Sequence, residues 1–387
     1  YSESLSLFAE TKEIFQLHYP NFKNKTLVQK DLANTLKIIA SKGRKGFYEG
    51  EIAEKISSEI KKNNGLISKS DLKNYSPVWR EPLISNYRDT EIITMGPPSS
   101  GGLHVIQMLN ILENYDLKKI GHNSLEYINL LTEVMKFAYA DRSKYLGDPD
   151  FYDVPIKKII SKKYANDINK NIQIGKLTPV NEINPGKYMD GESHETTHFS
   201  VVDKTGNVIS MTYTLNSTFG SKVVIEGTGI LMNNEMDDFS AAPGIPNQFN
   251  LLGAEANEIA PFKRPLSSMT PTIVLKDKEL FFTTGSPGGA RIISAVLQSI
   301  VNIIDFNMNL EDTTAAKRIH HQWYPDILEY EFTLDNTIEK NLKKMGYKTE
   351  SKLPLTCLQT IMFSDGMYYG YGDFRRVDAL ASGNIND

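Results

Sequence analysis

Two threonines bracket a short β-hairpin in a way that could bring two hydroxyls together across the strands. The run Thr196-Thr197-His198-Phe199-Ser200 leads, through Asp203-Lys204-Thr205-Gly206-Asn207, to Thr212-Tyr213-Thr214. A three-residue loop at Lys204 to Gly206, with Gly206 in the left-handed position, sets Asp203 against Asn207. Carried back along the ladder, that register sets Thr196 opposite Thr214, close enough for two hydroxyls to hydrogen-bond. A two-residue turn would break this pairing, and β-propensity alone accounts for any single threonine here. Two features raise the pair above propensity. Thr196 stands where a Pro/Gly-rich stretch gives way to a strand, and its partner is a second hydroxyl.

Other small motifs are ambiguous when read alone. Gly285-Ser286-Pro287-Gly288-Gly289 precedes an apolar helical run and reads as a plain loop; without a following Gly-Lys-Ser/Thr it is not a phosphate loop. Asp237-Asp238 reads as a turn pair and Ser267-Ser268 as a cap or strand-end pair. The single cysteine, Cys357, can form no internal disulfide, and no Cys cluster or paired-His signature suggests a metal site, so neither metal nor cofactor is expected.

Composition narrows the class. Of 387 residues, 40% are hydrophobic and 23% charged, which suits an ordinary globular core. With 43 Lys and Arg against 47 Asp and Glu, no basic field is available for nucleic acid or an anionic membrane. The longest apolar run, Ile292 to Phe306, is interrupted by Ser294, Gln298, Ser299, Asn302 and Asp305 and is too short for a membrane span. The chain opens Tyr1-Ser2-Glu3-Ser4, neither basic nor followed by an apolar stretch, so no signal peptide is read; lacking an initial Met, it is expected to be a processed or truncated product.

The elements that must position these residues follow from periodicity. Helices are expected from Asp31 to Gly43, from Gly50 to Gly65, after Gly96-Pro97-Pro98-Ser99-Ser100-Gly101-Gly102, and from Ser124 to Tyr145. An exposed linker is expected over about 175–195. Strands are expected at 91–95, 199–203, 208–214, 272–276, 280–284, 358–363 and 367–371, with helices at 290–306 and 310–319. This is a layered α/β pattern, antiparallel sheets covered by helices.

Taken in order, these segments resemble γ-glutamyltranspeptidase of the bacterial type. The resemblance rests on Thr196-Thr197-His198-Phe199-Ser200, Thr212-Tyr213-Thr214-Leu215-Asn216, Asn233-Asn234-Glu235-Met236-Asp237-Asp238-Phe239-Ser240, Lys263-Arg264-Pro265-Leu266-Ser267-Ser268-Met269 and Gly285 to Gly289. Upstream it includes Gly96 to Gly102 and Tyr139-Ala140-Asp141-Arg142-Ser143. It implies the αββα sandwich of the N-terminal-nucleophile hydrolases. Residues 1–195 would be the C-terminal portion of a large subunit and 196–387 the small subunit, together one αββα domain whose two pieces associate after self-cleavage.

The resemblance further implies cleavage between Glu195 and Thr196, with Thr196 then acting as nucleophile and its α-amine as base. An α-amine has a pKa of roughly 7.7 to 8, so much of it is free near neutrality. Thr214 would orient the Thr196 hydroxyl. Gly288 and Gly289 would supply oxyanion-binding N–H groups; Asn216, Glu235 and Asp238 would face a substrate α-amino group; Ser267 and Ser268 would hold its α-carboxylate. His198, His320 and His321 are given no proton-transfer role, and Arg264 and Arg291 are read as loop anchors. The family also takes a carboxylate-binding Arg from further upstream, to which no position here is matched, and Phe249 stands in the presumed lid, 242–249, where bacterial relatives commonly carry Tyr.

The implied activity is hydrolysis or transfer of the γ-glutamyl group of a glutathione-like donor to water, an amino acid or a peptide, in the periplasm or outside the cell. The alternatives are a glutaryl or cephalosporin acylase of the same fold, or an unprocessed inactive fragment. A buried carboxylate with no cation to pair is costly, which favours glutamyl over glutaryl.

Overall fold

The computed structural model describes residues 2–16, 26–183, 196–240, 242, 245, 247, 251–331, 333–354 and 356–383. Glu195, Phe249 and most of the lid segment lie outside these. The contacts divide the chain into two compact units, Tyr1–Arg80 with Leu215–Glu235, and Glu81–Thr214 with Met236–Asp387. The 195/196 junction falls inside the second unit rather than between the two.

In the second unit a six-stranded antiparallel sheet runs in the order Leu83–Tyr87, Thr90–Thr94, Thr272–Lys276, Glu279–Thr284, Gln359–Ser364, Met367–Gly372. Ile92, Val274 and Phe282 turn fully buried side chains into the main core. Against them pack helices Gly101–Leu112, Leu125–Tyr145 and Arg291–Ile304. Gly101–Leu112 is apolar on nearly every side and is buried along its whole length, as such a helix must be. Leu125–Tyr145 starts where Ser124 accepts a hydrogen bond from the Tyr127 amide at 3.1 Å. A second β layer is the hairpin Thr197–Val202 and Val208–Tyr213, which leans on the larger sheet. This is the αββα class expected from the sequence.

Hairpin register is as expected. Thr197 pairs with Tyr213, His198 with Thr212 and Val202 with Val208. The loop closes through Asp203 N–H to Asn207 O at 3.0 Å, and Gly206 has φ 85°. The side chains of Asn207 and Thr205 hydrogen-bond the Asp203 carboxylate and lower its pKa to about 2.

Elsewhere tertiary contacts redraw the expected elements. The helix begun at Leu310 stops at Ala315, and Ile319–His320 instead pairs antiparallel with Leu328–Glu331, which pairs in parallel with Thr349–Lys352. Gln298 is responsible at residue 319: its Oε1 accepts from the Ile319 N–H at 3.0 Å and its Nε2 donates to the Ile319 carbonyl at 2.9 Å. The described part of the expected linker has neither helix nor strand, yet it is tied down. Glu133 Oε2 accepts from the Thr178 N–H at 3.0 Å, Trp323 donates to the Val180 carbonyl at 3.2 Å, and Ile183 is buried in the main core. Those contacts come from residues far away in sequence, which local composition does not register.

In the first unit, helices Lys30–Lys42 and Gly50–Lys62 accompany a small ribbon, Val224–Ile225 with Ile230–Leu231. Ile52, Ile56 and Ile225 form its buried centre, and Thr35 donates to the Thr228 carbonyl at 2.8 Å. Gly229 is required there: a Cβ would approach the Leu32 backbone nitrogen to 2.7 Å. Among the described residues no helix is long and apolar enough to cross a membrane.

Candidate active site

Thr196 is buried at the foot of the hairpin, one register position beyond the Thr197–Tyr213 pair, which puts Thr214 opposite it. Its carbonyl accepts a hydrogen bond from Arg376 Nη1 at 3.4 Å. The next inward side chain, His198, fixes the foot in place. Its Nδ1 lies 2.8 Å from Thr212 Oγ1 and its Nε2 3.2 Å from Ser200 Oγ. Burial depresses its pKa to about 4, so the ring is neutral at physiological pH.

The glycine loop abuts this ring. At Gly285 a Cβ would come within 2.5 Å of His198 Nε2 and closer still to Cε1 and Nδ1, so only glycine lets loop and hairpin meet. Three residues on, Gly288 and Gly289 are buried with φ of 133° and 57°. Their carbonyls accept from Arg291 and Ile292, opening the Arg291–Ile304 helix. Among the described residues neither glycine N–H has an acceptor. Two unspent donors at a helix N-terminus are suited to a developing oxyanion.

Ser267 and Ser268 are held by the Gly96–Gly102 loop. Ser99 bridges to Ser267 in parallel fashion, the Ser267 N–H donates to the Pro98 carbonyl at 2.9 Å, and Ser100 Oγ donates to the Ser267 carbonyl at 2.8 Å. Gly101 makes this approach possible, because a Cβ there would come to 2.9 Å from the Ser268 and Met269 carbonyls. Arg142, buried on the Leu125–Tyr145 helix, donates from Nε to Ser100 Oγ at 2.9 Å and from Nη2 to Ser268 Oγ at 3.0 Å. The same guanidinium lines a small cavity with Asp238, whose main chain is anchored by Asn257 at 2.7 Å.

Glu235 and Asp238 begin and end one turn of 3-10 helix. Glu235 Oε1 is buried with no hydrogen-bond partner among the described residues, and burial pushes its pKa up to about 7. Asn216, buried at φ 74°, donates from Nδ2 to the Asn234 carbonyl at 3.2 Å. Asparagine is among the few side chains that tolerate this left-handed region.

Several polar residues are taken up structurally. Arg291 makes a buried ion pair with Glu329 at 2.6 Å, His320 lies 2.9 Å from Ser294 Oγ, and His321 3.2 Å from Asp326. Burial raises the Cys357 thiol to about 11, which keeps it protonated near neutrality. What sequence reading missed is the buried network Arg318, Glu331, Asp373 and Arg375. Asp373 receives Arg318 at 2.9 Å and Arg375 at 3.2 Å, while Arg375 reaches Glu331 at 2.6 Å. It secures the strap that carries Arg376 to Thr196. Only Arg375-Arg376 beside Asp373 hinted at it, and charges in a loop ordinarily mean solvent.

A helix-covered antiparallel sheet with a hairpin nucleophile candidate defines the N-terminal-nucleophile hydrolase class. Within it, the chain matches the gamma-glutamyltranspeptidase family over residues 2–383 and belongs to that family. It is 50% identical to the glutathione hydrolase proenzyme of Escherichia coli K12, covering 99% of this chain and 66% of that protein. It is 42% identical to the glutathione hydrolase proenzyme of Pseudomonas sp. A14, covering 92% and 64%. A crystal structure of cephalosporin acylase from Bacillus halodurans superposes with TM-score 0.78 at 27% identity, over 90% of this chain and 61% of that one. The chain thus spans about two thirds of the length of the curated relatives it matches.

Proposed function

We propose that the protein cleaves the γ-glutamyl amide of glutathione-like donors through an ester on Thr196, after cutting itself between Glu195 and Thr196. The Thr196 hydroxyl attacks the γ-carbonyl and gives its proton to the residue's own α-amine. Gly288 and Gly289 N–H groups hold the resulting oxyanion. The proton passes to the departing amine as the C–N bond breaks, leaving the ester. Water or an acceptor amine then attacks, and Thr196 regains its proton. Thr214 orients the hydroxyl in both self-cleavage and turnover.

The observation that carries this reading is the pair of buried N–H donors at Gly288 and Gly289, without acceptors among the described residues, on the loop that His198 presses against the foot of the Thr196 strand. Glu235 supports a glutamyl rather than a glutaryl donor: its buried carboxyl oxygen, without a partner among the described residues, would be completed by a substrate ammonium. Asn216 and Asp238 are assigned to the same α-amino group, and Ser267 and Ser268 to the α-carboxylate, on the family's pattern. The two products of cleavage stay associated, and the family's usual habit puts the enzyme in the periplasm or outside the cell.

Release of the chromophore from γ-glutamyl and glutaryl anilides tests the reading. A kcat/KM higher for the γ-glutamyl compound is expected, with none of the activity left in Thr196→Ala. Preference for the glutaryl compound would make the protein an acylase.

A further inference from the structure

Ser268 is held as an acceptor by a buried cation. Arg142 Nη2 donates to its Oγ at 3.0 Å, so the guanidinium takes one of the hydroxyl's lone pairs. Among the described residues the Ser268 hydroxyl proton has no acceptor. The second Arg142 contact works alike on its neighbour: Nε donates to Ser100 Oγ, whose own proton goes to the Ser267 carbonyl. Arg142 thus reaches the Ser267 backbone through Ser100 and the Ser268 side chain directly, and the Ser268 O–H keeps its proton for another acceptor.

Arg142 itself is unusual. It is only 4% exposed and makes no ion pair with a carboxylate among the described residues. The other deeply buried arginines, 291, 318 and 375, are each paired with Glu or Asp. Desolvation lowers the Arg142 pKa to about 10, which leaves it charged at neutral pH. The carboxylate whose field it feels is that of Asp238, across the small cavity both residues line. A buried cation with no ion-pair partner among the described residues is expensive, and an anion bound at the Ser268 hydroxyl, which Arg142 touches, would offset that cost.

We propose that Arg142 is the positioning residue of the carboxylate subsite: through Ser268 it fixes a hydroxyl as a donor, and its charge makes the subsite selective for a carboxylate over a neutral amide. This rests on the γ-glutamyl reading given above and names, within it, a residue of this chain that supplies positive charge at Ser268. It also gives the Gly96–Gly102 loop and the Asp141-Arg142-Ser143 segment a shared task, since one holds the serine backbone and the other orients the hydroxyl.

The test compares γ-glutamyl anilide with its α-carboxamide analogue in wild type, Arg142→Lys, Arg142→Met, Ser268→Ala and the Arg142→Met/Ser268→Ala double variant. Wild type should favour the carboxylate substrate, and Arg142→Met should lose roughly 10- to 100-fold of that preference, the scale of one charge-assisted hydrogen bond. Arg142→Lys should restore part of it. If Arg142 acts through Ser268, the double variant should be scarcely worse than Ser268→Ala alone. Should Arg142→Met misfold, Arg142→Lys against Ser268→Ala carries the same comparison. An unchanged carboxylate-to-amide ratio in the Arg142 variants, or losses that simply add, would overturn the assignment while leaving the γ-glutamyl reading intact. A wild type indifferent to the α-carboxylate would instead bring down that reading, and this assignment with it.

Discussion

The imidazole of His198 occupies the space that a β-carbon at position 285 would need. This contact locks the hairpin bearing Thr196 to the loop bearing Gly288 and Gly289, and neither partner can change alone. Gly285→Ala should therefore destabilise the fold by about 1–3 kcal/mol, the usual cost of overpacking. It should also lower kcat far more than it raises KM, because the loop moves relative to the nucleophile. Thermal unfolding and steady-state kinetics check both parts.

His198 should contribute to stability in a defined pH window. Its folded pKa of about 4 lies below the ordinary 6.5, so the folded state holds fewer protons than the unfolded one. The stabilisation is present above pH 6.5 and is lost as pH falls toward 4. In His198→Asn the dependence of Tm on pH between 4 and 6.5 should be shallower than in wild type. His104, depressed to about 3, acts in the same direction and accounts for part of the slope that remains.

Glu235 behaves oppositely. With a folded pKa raised to about 7, it favours folding below the ordinary carboxylate pKa and loses that advantage as pH rises through 7. In the proposed reaction, ionised Glu235 is the form that would hold a substrate ammonium. KM for a γ-glutamyl donor should fall as pH rises through 7 in wild type. Glu235→Gln should raise KM about 10- to 100-fold at pH 8 and flatten that pH dependence. The same variant should unfold at a higher temperature than wild type at pH 8.

The sequence showed the hairpin most fully, because its register follows from one loop length and a glycine at 206, and strand pairing propagates that choice. The long helices were equally plain: Ser124 caps one, and the apolar faces of the 101–112 and 291–304 helices repeat with helical spacing. What stayed hidden depends on distant partners. Leu83–Tyr87 is an edge strand without a two-residue apolar alternation, and Ile319–His320 is pulled from its helix by Gln298. Residues 175–183 look like linker until Glu133 and Trp323 are brought to them. In the candidate site, residue types were legible from the resemblance, whereas Arg142 and Arg376 show their place only through contacts with Ser268 and Thr196.

The hidden charge network should be costly to break. Asp373→Asn would remove the shared partner of two buried arginines, Arg318 and Arg375, and should destabilise the protein by about 3–5 kcal/mol. Chemical denaturation should show this as a lower midpoint with an unchanged slope. Because the network holds the strap bearing Arg376, self-cleavage should also slow, visible as a longer-lived uncut chain.

Self-cleavage and turnover should both depend on the Thr196 hydroxyl. Intact mass of the purified protein after incubation, beside Thr196→Ala, tests this most directly. Wild type should split into two pieces, the second beginning at Thr196, and the variant should stay whole. A wild type that remains a single chain, or a Thr196→Ala protein that splits at the same place, contradicts it.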